Sequence, residues 1–588
     1  MRARRWIGPL ACALAAFLCF APALRAGFVE FDDTTLLATE RFHGFSAENL
    51  RWMASATRLG HWMPLTWLSY ALDWQLHGSD PAGYHLTNLL LHALVAALVC
   101  LLARRLFVLA RPEAAARLPL ALEGAALLAG LAFALHPLRA ESVAWVTERR
   151  DVLSGALLLG CIHFWLAALE RERAGGSRRG PLAAAIALHA LSLCAKAWGM
   201  LLAPLLLVLD VYPLRRLPAD PRRWLERGAR GVLLEKLPFL ALGLGCALIA
   251  NRAVDAIAGT LRSWEEWGLG ARLAQAAHGL WFYASRTLWP AGLSPIVELP
   301  RSFDPAEPRF LAGYACVLAA PPLLWLLRRR APALVAASVA YVLVLLPVLG
   351  FKQAGPQLVA DRYSYLACIG FALALGAGAW KLFERPAWRA PLALGCLALV
   401  ALLFVLGQRQ SHVWLSTETL WQQALEHGPP SAIAERGAAL VCIGRNELEP
   451  ALAHLERARA IDPGNADVWM ALGRLRQQRG EREAAAQAYR EAARWGVPAY
   501  LGWMALGKLQ RDELGDHDGA LASFRAAVAD VDRSRPELFN PFAYLALGEE
   551  LARAGRKDEA RAALEVAARY EKTRSQALAA LAGLNRAP

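Results

Sequence analysis

The chain is punctuated by apolar runs, many of bilayer length, separated by short arginine-rich loops, and this pattern leaves few folds open. In lipid the backbone polar groups must be satisfied within the spanning structure, so such runs read as helices. They occupy residues 6–24, 86–107, 120–135, 152–169, 182–193, 201–209, 232–250, 310–327, 333–349, 363–380 and 391–406. A span takes roughly 20 residues, which predicts an all-α, polytopic bundle of about eleven helices. Composition agrees: 56% of the 588 residues are hydrophobic and only 19% charged, more apolar than a soluble enzyme of this size requires. The first run has the basic start and apolar middle of a signal peptide but no clean small-x-small cleavage site, and it reads as a retained helix.

A net charge of +14 raises nucleic-acid binding, but the basic residues cluster as cytoplasmic loops of a membrane protein should. Arg2, Arg4 and Arg5 precede the first run, Arg104 and Arg105 lie near the end of the second, and Arg171, Arg173, Arg178 and Arg179 follow the fourth. Arg215, Arg216, Arg222 and Arg223, then Arg328, Arg329 and Arg330, continue the series. The charge reports topology, and no nucleic-acid partner is expected. Counting a further segment, 273–289, as a full span would put the Arg328 cluster on the wrong side. It is therefore read as interfacial or re-entrant, which places the C-terminal region outside the cytoplasm. All but one of the ten cysteines, Cys442, lie in or beside apolar runs, and none has metal-type spacing.

Beyond about residue 408 the spanning runs stop and a repeat begins. VWMALGRLRQQRG and GWMALGKLQRDELG share Trp469 and Trp503, Leu472 and Leu506, and Gly473 and Gly507, each pair 34 residues apart. That is the tetratricopeptide period. About four helix hairpins are expected over 409–588, an α-solenoid after a membrane domain at 1–408, with a concave face suited to peptide or protein.

Ionisable groups in or beside spans are costly and mark functional sites by default. Asp32 and Asp33 follow the first span, at the start of an outer loop over 28–84. His85, Asn88 and His92 in YHLTNLLLH share one helical face, a set that suits hydrogen bonding or substrate positioning better than metal ligation. HPLRAESVAWVTERRD carries His136, Arg139, Glu141, Arg149, Arg150 and Asp151, where Glu141 reads equally as an ion-pair staple or a substrate contact. Lys196 and the Asp361–Arg362 pair of ADRYSYL complete the set. All fall at outer helix ends, so one outward-facing pocket is expected to collect them. The absence of Walker, GxGxxG and HExxH motifs argues against a nucleotide-driven pump or a metalloprotease.

Taken together, FVEFDD, PLTWLSYALDWQLHGSDPAGYHLTNLLLHAL, LHPLRAESVAWVTERRDVLSGALLL, AKAWGMLLAPLLLVLDVYPLRR, LVADRYSYLACIGF and WLSTETLWQQALEH leading into tetratricopeptides resemble the transmembrane and tetratricopeptide repeat-containing family. These are C-type membrane glycosyltransferases similar to protein O-mannosyltransferases. The resemblance implies transfer of a hexose such as mannose from a polyprenyl-phosphate donor to Ser or Thr hydroxyls of a protein acceptor. It maps the acidic role onto Asp32 or Asp33, with both expected to be needed, one of them orienting the other or a divalent ion. Arg362, Lys196, Arg149 and Arg150 are candidates for the donor phosphate, and His85, Asn88, His136, Glu141 and Asp151 for other substrate contacts. AKAWG departs from the Ser-Lys-Glu run of animal members, which weakens the carry-over to Lys196. The composition points to a bacterial inner-membrane protein. A non-catalytic envelope scaffold is the alternative.

Overall fold

In a computed structural model, residues 4–58, 60–255, 262–534 and 540–584 are described. They form an almost wholly helical chain with two short antiparallel ladders, Thr57–Arg58 with His61–Trp62 and Val297–Glu298 with Gln357–Val359. It divides into two compact units, Met1–Gly428 and Pro429–Pro588.

The expectation of a boundary at 408/409 differs from this division by one helix. Thr417–His427 belongs with the first unit because it closes on the loop after the first span: Gly27 N donates to Leu415 O at 3.1 Å and Glu30 N to Thr417 Oγ1 at 2.8 Å. The Phe31 ring meets Trp421 edge-on at 5.5 Å.

Each of the eleven expected runs coincides with helix. Among the described residues six helices are long and apolar enough to cross a membrane, and the total rises to 8 if two bent pairs, Pro119–Ala134 with Pro137–Ala144 and Asp361–Ala367 with Ile369–Phe383, are each one span. Arg179–Ala195, Ala197–Val211 and Pro332–Val348 are apolar but shorter. The segment expected to be interfacial forms Leu269–Leu288, whose buried side carries Ala271, Ala274, Gln275 and His278. The ten cysteines are all free.

The stretch 28–84 is a small folded layer rather than an open loop. Helices Asp33–Leu37, Ala47–Ser55 and Pro64–His77 enclose Leu36, Phe42, Met53, Met63, Trp67 and Tyr70. Trp67 and Tyr70 are therefore core residues.

In the second unit four hairpins follow one another: Ala432–Gly444 with Leu448–Ile461, Ala466–Gln478 with Arg482–Trp495, Tyr500–Leu509 with His517–Ser534, and Pro541–Arg553 with Lys557–Ala568. A last helix, Glu571–Leu584, covers the end. The repeated glycines are close-approach sites. A β-carbon at Gly473 would lie 2.4 Å from the Tyr489 ring, and one at Gly507 would lie 2.6 Å from Phe524. Small residues recur because the partner helix of each hairpin lays a ring across them.

Candidate active site

The two adjacent aspartates are placed differently. Asp33 opens the helix Asp33–Leu37 and is 1% exposed. Its Oδ1 accepts from Thr147 N at 2.9 Å and Thr147 Oγ1 at 2.6 Å, and its Oδ2 from Val29 N at 3.1 Å. Burial pushes its carboxyl up to about 6, with these hydrogen bonds holding it back. Asp32, one residue earlier, is half-buried and its side chain makes no capping bond. Burial raises its pKa as well, opposed by the nearby guanidiniums of Arg150 and Arg362. Asp33 is thus committed to holding two segments together, whereas Asp32 is an available carboxylate facing positive charge.

That charge is organised by a residue missing from the sequence-based set. Glu148, fully buried at the end of the turn Val146–Glu148, accepts from Arg150 Nε at 3.0 Å and Lys196 Nζ at 3.0 Å, with Arg362 Nε at 3.3 Å. Among the described residues, each of these cations save Arg150 has a second anion in ion-pair contact. Lys196 Nζ also reaches Asp151 Oδ1 at 2.6 Å, and Arg362 pairs with Glu141, which additionally accepts from Arg362 N at 2.7 Å. Asp151 is completed by Trp198 Nε1 at 2.6 Å and Ser142 Oγ at 2.9 Å. Three cations from three separate stretches of chain therefore meet at one carboxylate beside Asp32.

Other expected site residues are supports. Arg149 is fully buried and spends its guanidinium on Asp73 at 2.5 Å, Asn88 Oδ1 at 2.8 Å and Tyr84 O at 2.8 Å. Asn88 in turn donates to Val143 O at 3.2 Å and Trp145 O at 3.3 Å, and Tyr70 OH donates to Val146 O at 2.9 Å. These bonds fix the turn that presents Thr147 and Glu148. His85 is buried against the backbones of Gly27 and Ala144. His92 Nε2–H donates to Ala134 O at 3.0 Å and accepts from Tyr365 OH at Nδ1, 2.8 Å away. His136 Nε2–H donates to Thr287 O at 3.0 Å. Arg139 holds the helix start next to Arg362 through Tyr365 O at 2.6 Å and Ser364 Oγ at 2.8 Å. The expected single pocket thus separates into a facing set, Asp32, Glu141, Glu148, Arg150, Asp151, Lys196 and Arg362, and an interior scaffold behind it. Asp73 and Thr147 belong to that scaffold and were not singled out. Their only sequence signal was position within the quoted motifs.

A divalent ion does not suit this donor set. Among the described residues no three His, Cys, Asp or Glu side chains converge on a possible ion. Asp32 has guanidiniums where such an ion would supply its charge.

An apolar cavity of about 210 Å3 lies among the helices, lined by residues that include Leu158, Leu159, Ala337, Leu366, Ala367 and Trp380. Its lining includes Leu366 and Ala367, which follow Arg362 in sequence by four and five residues.

Fold and site together define a polytopic membrane protein with a tetratricopeptide solenoid and a buried acid and cation centre. A tetratricopeptide-repeat family model matches residues 422–506. The chain is similar to a protein O-mannosyl-transferase, Tmtc1 of Drosophila melanogaster, with 26% identity over 539 residues, covering 75% of this chain and 60% of that protein. It is similar also to the human protein O-mannosyl-transferase TMTC1, at 23% identity over 524 residues, 79% of this chain and 56% of that one. Against Tmtc2 of Drosophila melanogaster identity rises to 34% over 173 residues, 28% of this chain and 16% of the relative. The resemblance carried by the quoted motifs therefore holds over most of the chain, which spans about 60% or less of these relatives.

Proposed function

We propose that the protein is a membrane glycosyltransferase that moves a sugar, a hexose such as mannose, from a polyprenyl-phosphate donor to Ser or Thr hydroxyls of a protein acceptor. The observation that carries this reading is one carboxylate without a capping bond, Asp32, lying in the electrostatic field of Arg150 and Arg362. A Ser or Thr hydroxyl is a weak nucleophile. Asp32 takes its proton as the oxygen attacks the anomeric carbon, and a carboxylate whose pKa is raised toward working pH is the better base. The new C–O bond forms as the bond from the anomeric carbon to the phosphate oxygen breaks, and its electron pair leaves with the phosphate. Arg150, Arg362 and Lys196 stabilise that charge, pre-aligned by Glu148, so no reorganisation is needed during the step.

The apolar cavity beside Leu366 and Ala367 supports a donor with an isoprenoid tail, and the names of the relatives support a protein acceptor. In this reading the solenoid engages the acceptor or a partner protein, and the site and solenoid face away from the cytoplasm in a bacterial inner membrane. Asp33 acts through position, not chemistry.

The test is glycopeptide mass spectrometry of envelope proteins from cells carrying the wild type, Asp32→Asn or a deletion, with expression of the variant checked. A hexose on Ser or Thr that disappears in both the deletion and the Asn variant supports the reading. Unchanged glycopeptides in the deletion defeat it and leave the scaffold alternative.

A further inference from the structure

Where the first and last spans end side by side, they leave a cavity of about 390 Å3 between them. Helix Arg4–Phe20 runs into the short turn Ala21–Arg25, and Arg389–His412 finishes beside it. The two are locked together. Cys19 Sγ donates to Phe404 O at 3.6 Å and Gln408 Nε2 to Leu18 O at 3.4 Å, and a β-carbon at Gly407 would lie 2.6 Å from both Cys19 Sγ and Leu135 O. Leu18, Pro22 and Leu415 form the apolar part of the cavity wall, and Arg25, Gln408 and His412 the polar part. The polar groups keep capacity that the fold does not use. Arg25 is exposed and, among the described residues, no carboxylate pairs with it. His412 is exposed as well, and its Nδ1–H donates to Gln408 O at 2.7 Å, so the neutral ring presents Nε2 as an acceptor. Gln408 turns its amide nitrogen to Leu18 O, which leaves Oε1 as a second acceptor. Further into the bilayer, Leu14 and Leu18 of the first span and Leu402 and Val405 of the last remain exposed, an apolar wall that the hydrocarbon core covers.

We propose that this cavity is a phospholipid headgroup site selective for an ethanolamine head. The Arg25 guanidinium pairs with the phosphate diester, for which its fork of N–H donors is suited. Gln408 Oε1 and His412 Nε2 accept N–H bonds from the ammonium, and the acyl chains lie along Leu14, Leu18, Leu402 and Val405. One unpaired cation with two neutral acceptors matches a head that carries a phosphate and an N–H-bearing cation. A choline head has a fully methylated nitrogen and no N–H to give, and a glycerol head brings no cation. None of these residues belongs to the set around Asp32 and Glu148, so the site is independent of the sugar-transfer chemistry.

The experiment is native mass spectrometry of the full chain in detergent, offered phospholipids with identical acyl chains and ethanolamine, choline or glycerol heads. The wild type should retain one ethanolamine lipid at a concentration roughly tenfold below that needed for the choline lipid, the scale of one charge-assisted hydrogen bond. Arg25→Gln should lower retention of both, and Arg25→Lys, which keeps the charge, should recover part of it. His412→Ala should bring the ethanolamine lipid to the choline level and leave choline retention unchanged. Arg330→Gln, at an exposed arginine elsewhere in the membrane unit, should change neither, and lipid-free melting temperatures should stay at the wild-type value. Equal retention of all three heads, or wild-type retention by Arg25→Gln, overturns the proposal and leaves only ordinary bilayer lipid around the spans. Displacement of the bound lipid by an equal concentration of a short-chain polyprenyl phosphate also overturns it and assigns the cavity to the reaction's own lipid.

Discussion

Replacing Glu148 by Gln tests the core of the site, and its cost can be worked from the contacts. Glu148 is fully buried and meets three cations, but two have other anions: Lys196 has Asp151 and Arg362 has Glu141. Among the described residues, Arg150 is the one of the three left, once Glu148 is replaced, with no carboxylate in ion-pair contact. The loss is then that of one buried pair broken from one side, about 3–5 kcal/mol, rather than three times that figure. At roughly 2–4 °C per kcal/mol for a domain of moderate size, and less for a larger one, the melting temperature in detergent or nanodiscs should fall by roughly 5–10 °C. Neutralising the orphan as well, in Glu148→Gln/Arg150→Gln, should recover most of the stability while transfer stays low, because the phosphate has lost a cation. A Glu148→Gln protein that melts like the wild type would refute the reasoning. So would a double variant whose loss is the sum of the singles, since that would make the two residues energetically independent.

Two further outcomes follow from the same geometry. The base must be ionised to work, and the pKa of Asp32 is raised above the ordinary 3.8, so activity should rise with pH and its acid limb should lie above 3.8 in a kcat/KM profile; a limb at or below that value would count against Asp32 as the base. Ala337→Phe fills part of the apolar cavity and should raise KM for a long-chain donor more than for a short-chain analogue, with kcat little changed; equal effects on both donors would show that the tail lies elsewhere.

Much of the site was legible in the sequence because polar residues in apolar surroundings stand out singly. Asp32, Asp33, Arg150, Asp151, Lys196 and Arg362 could each be picked without knowing what they touch. Glu148 escaped because it stands beside two arginines, where a carboxylate reads as a local ion pair. Its bonds to Lys196 and Arg362 cross 48 and 214 positions of sequence, and local spacing carries no sign of them. Arg149 shows the converse error. It looks equivalent to Arg150, yet successive helical residues point about 100° apart, and Arg149 turns inward to Asp73 and Asn88.

By itself the sequence determined that this chain crosses a membrane repeatedly and ends in a helical solenoid, because hydropathy and the 34-residue repeat act locally along the chain. It also determined which residue types would be available for chemistry near the helix ends. Only the tertiary structure separated Asp33, held by Val29 and Thr147, from Asp32, left facing Arg150 and Arg362. Those partners come from distant segments, and the direction of a side chain at a helix start is set by the surface packed against it.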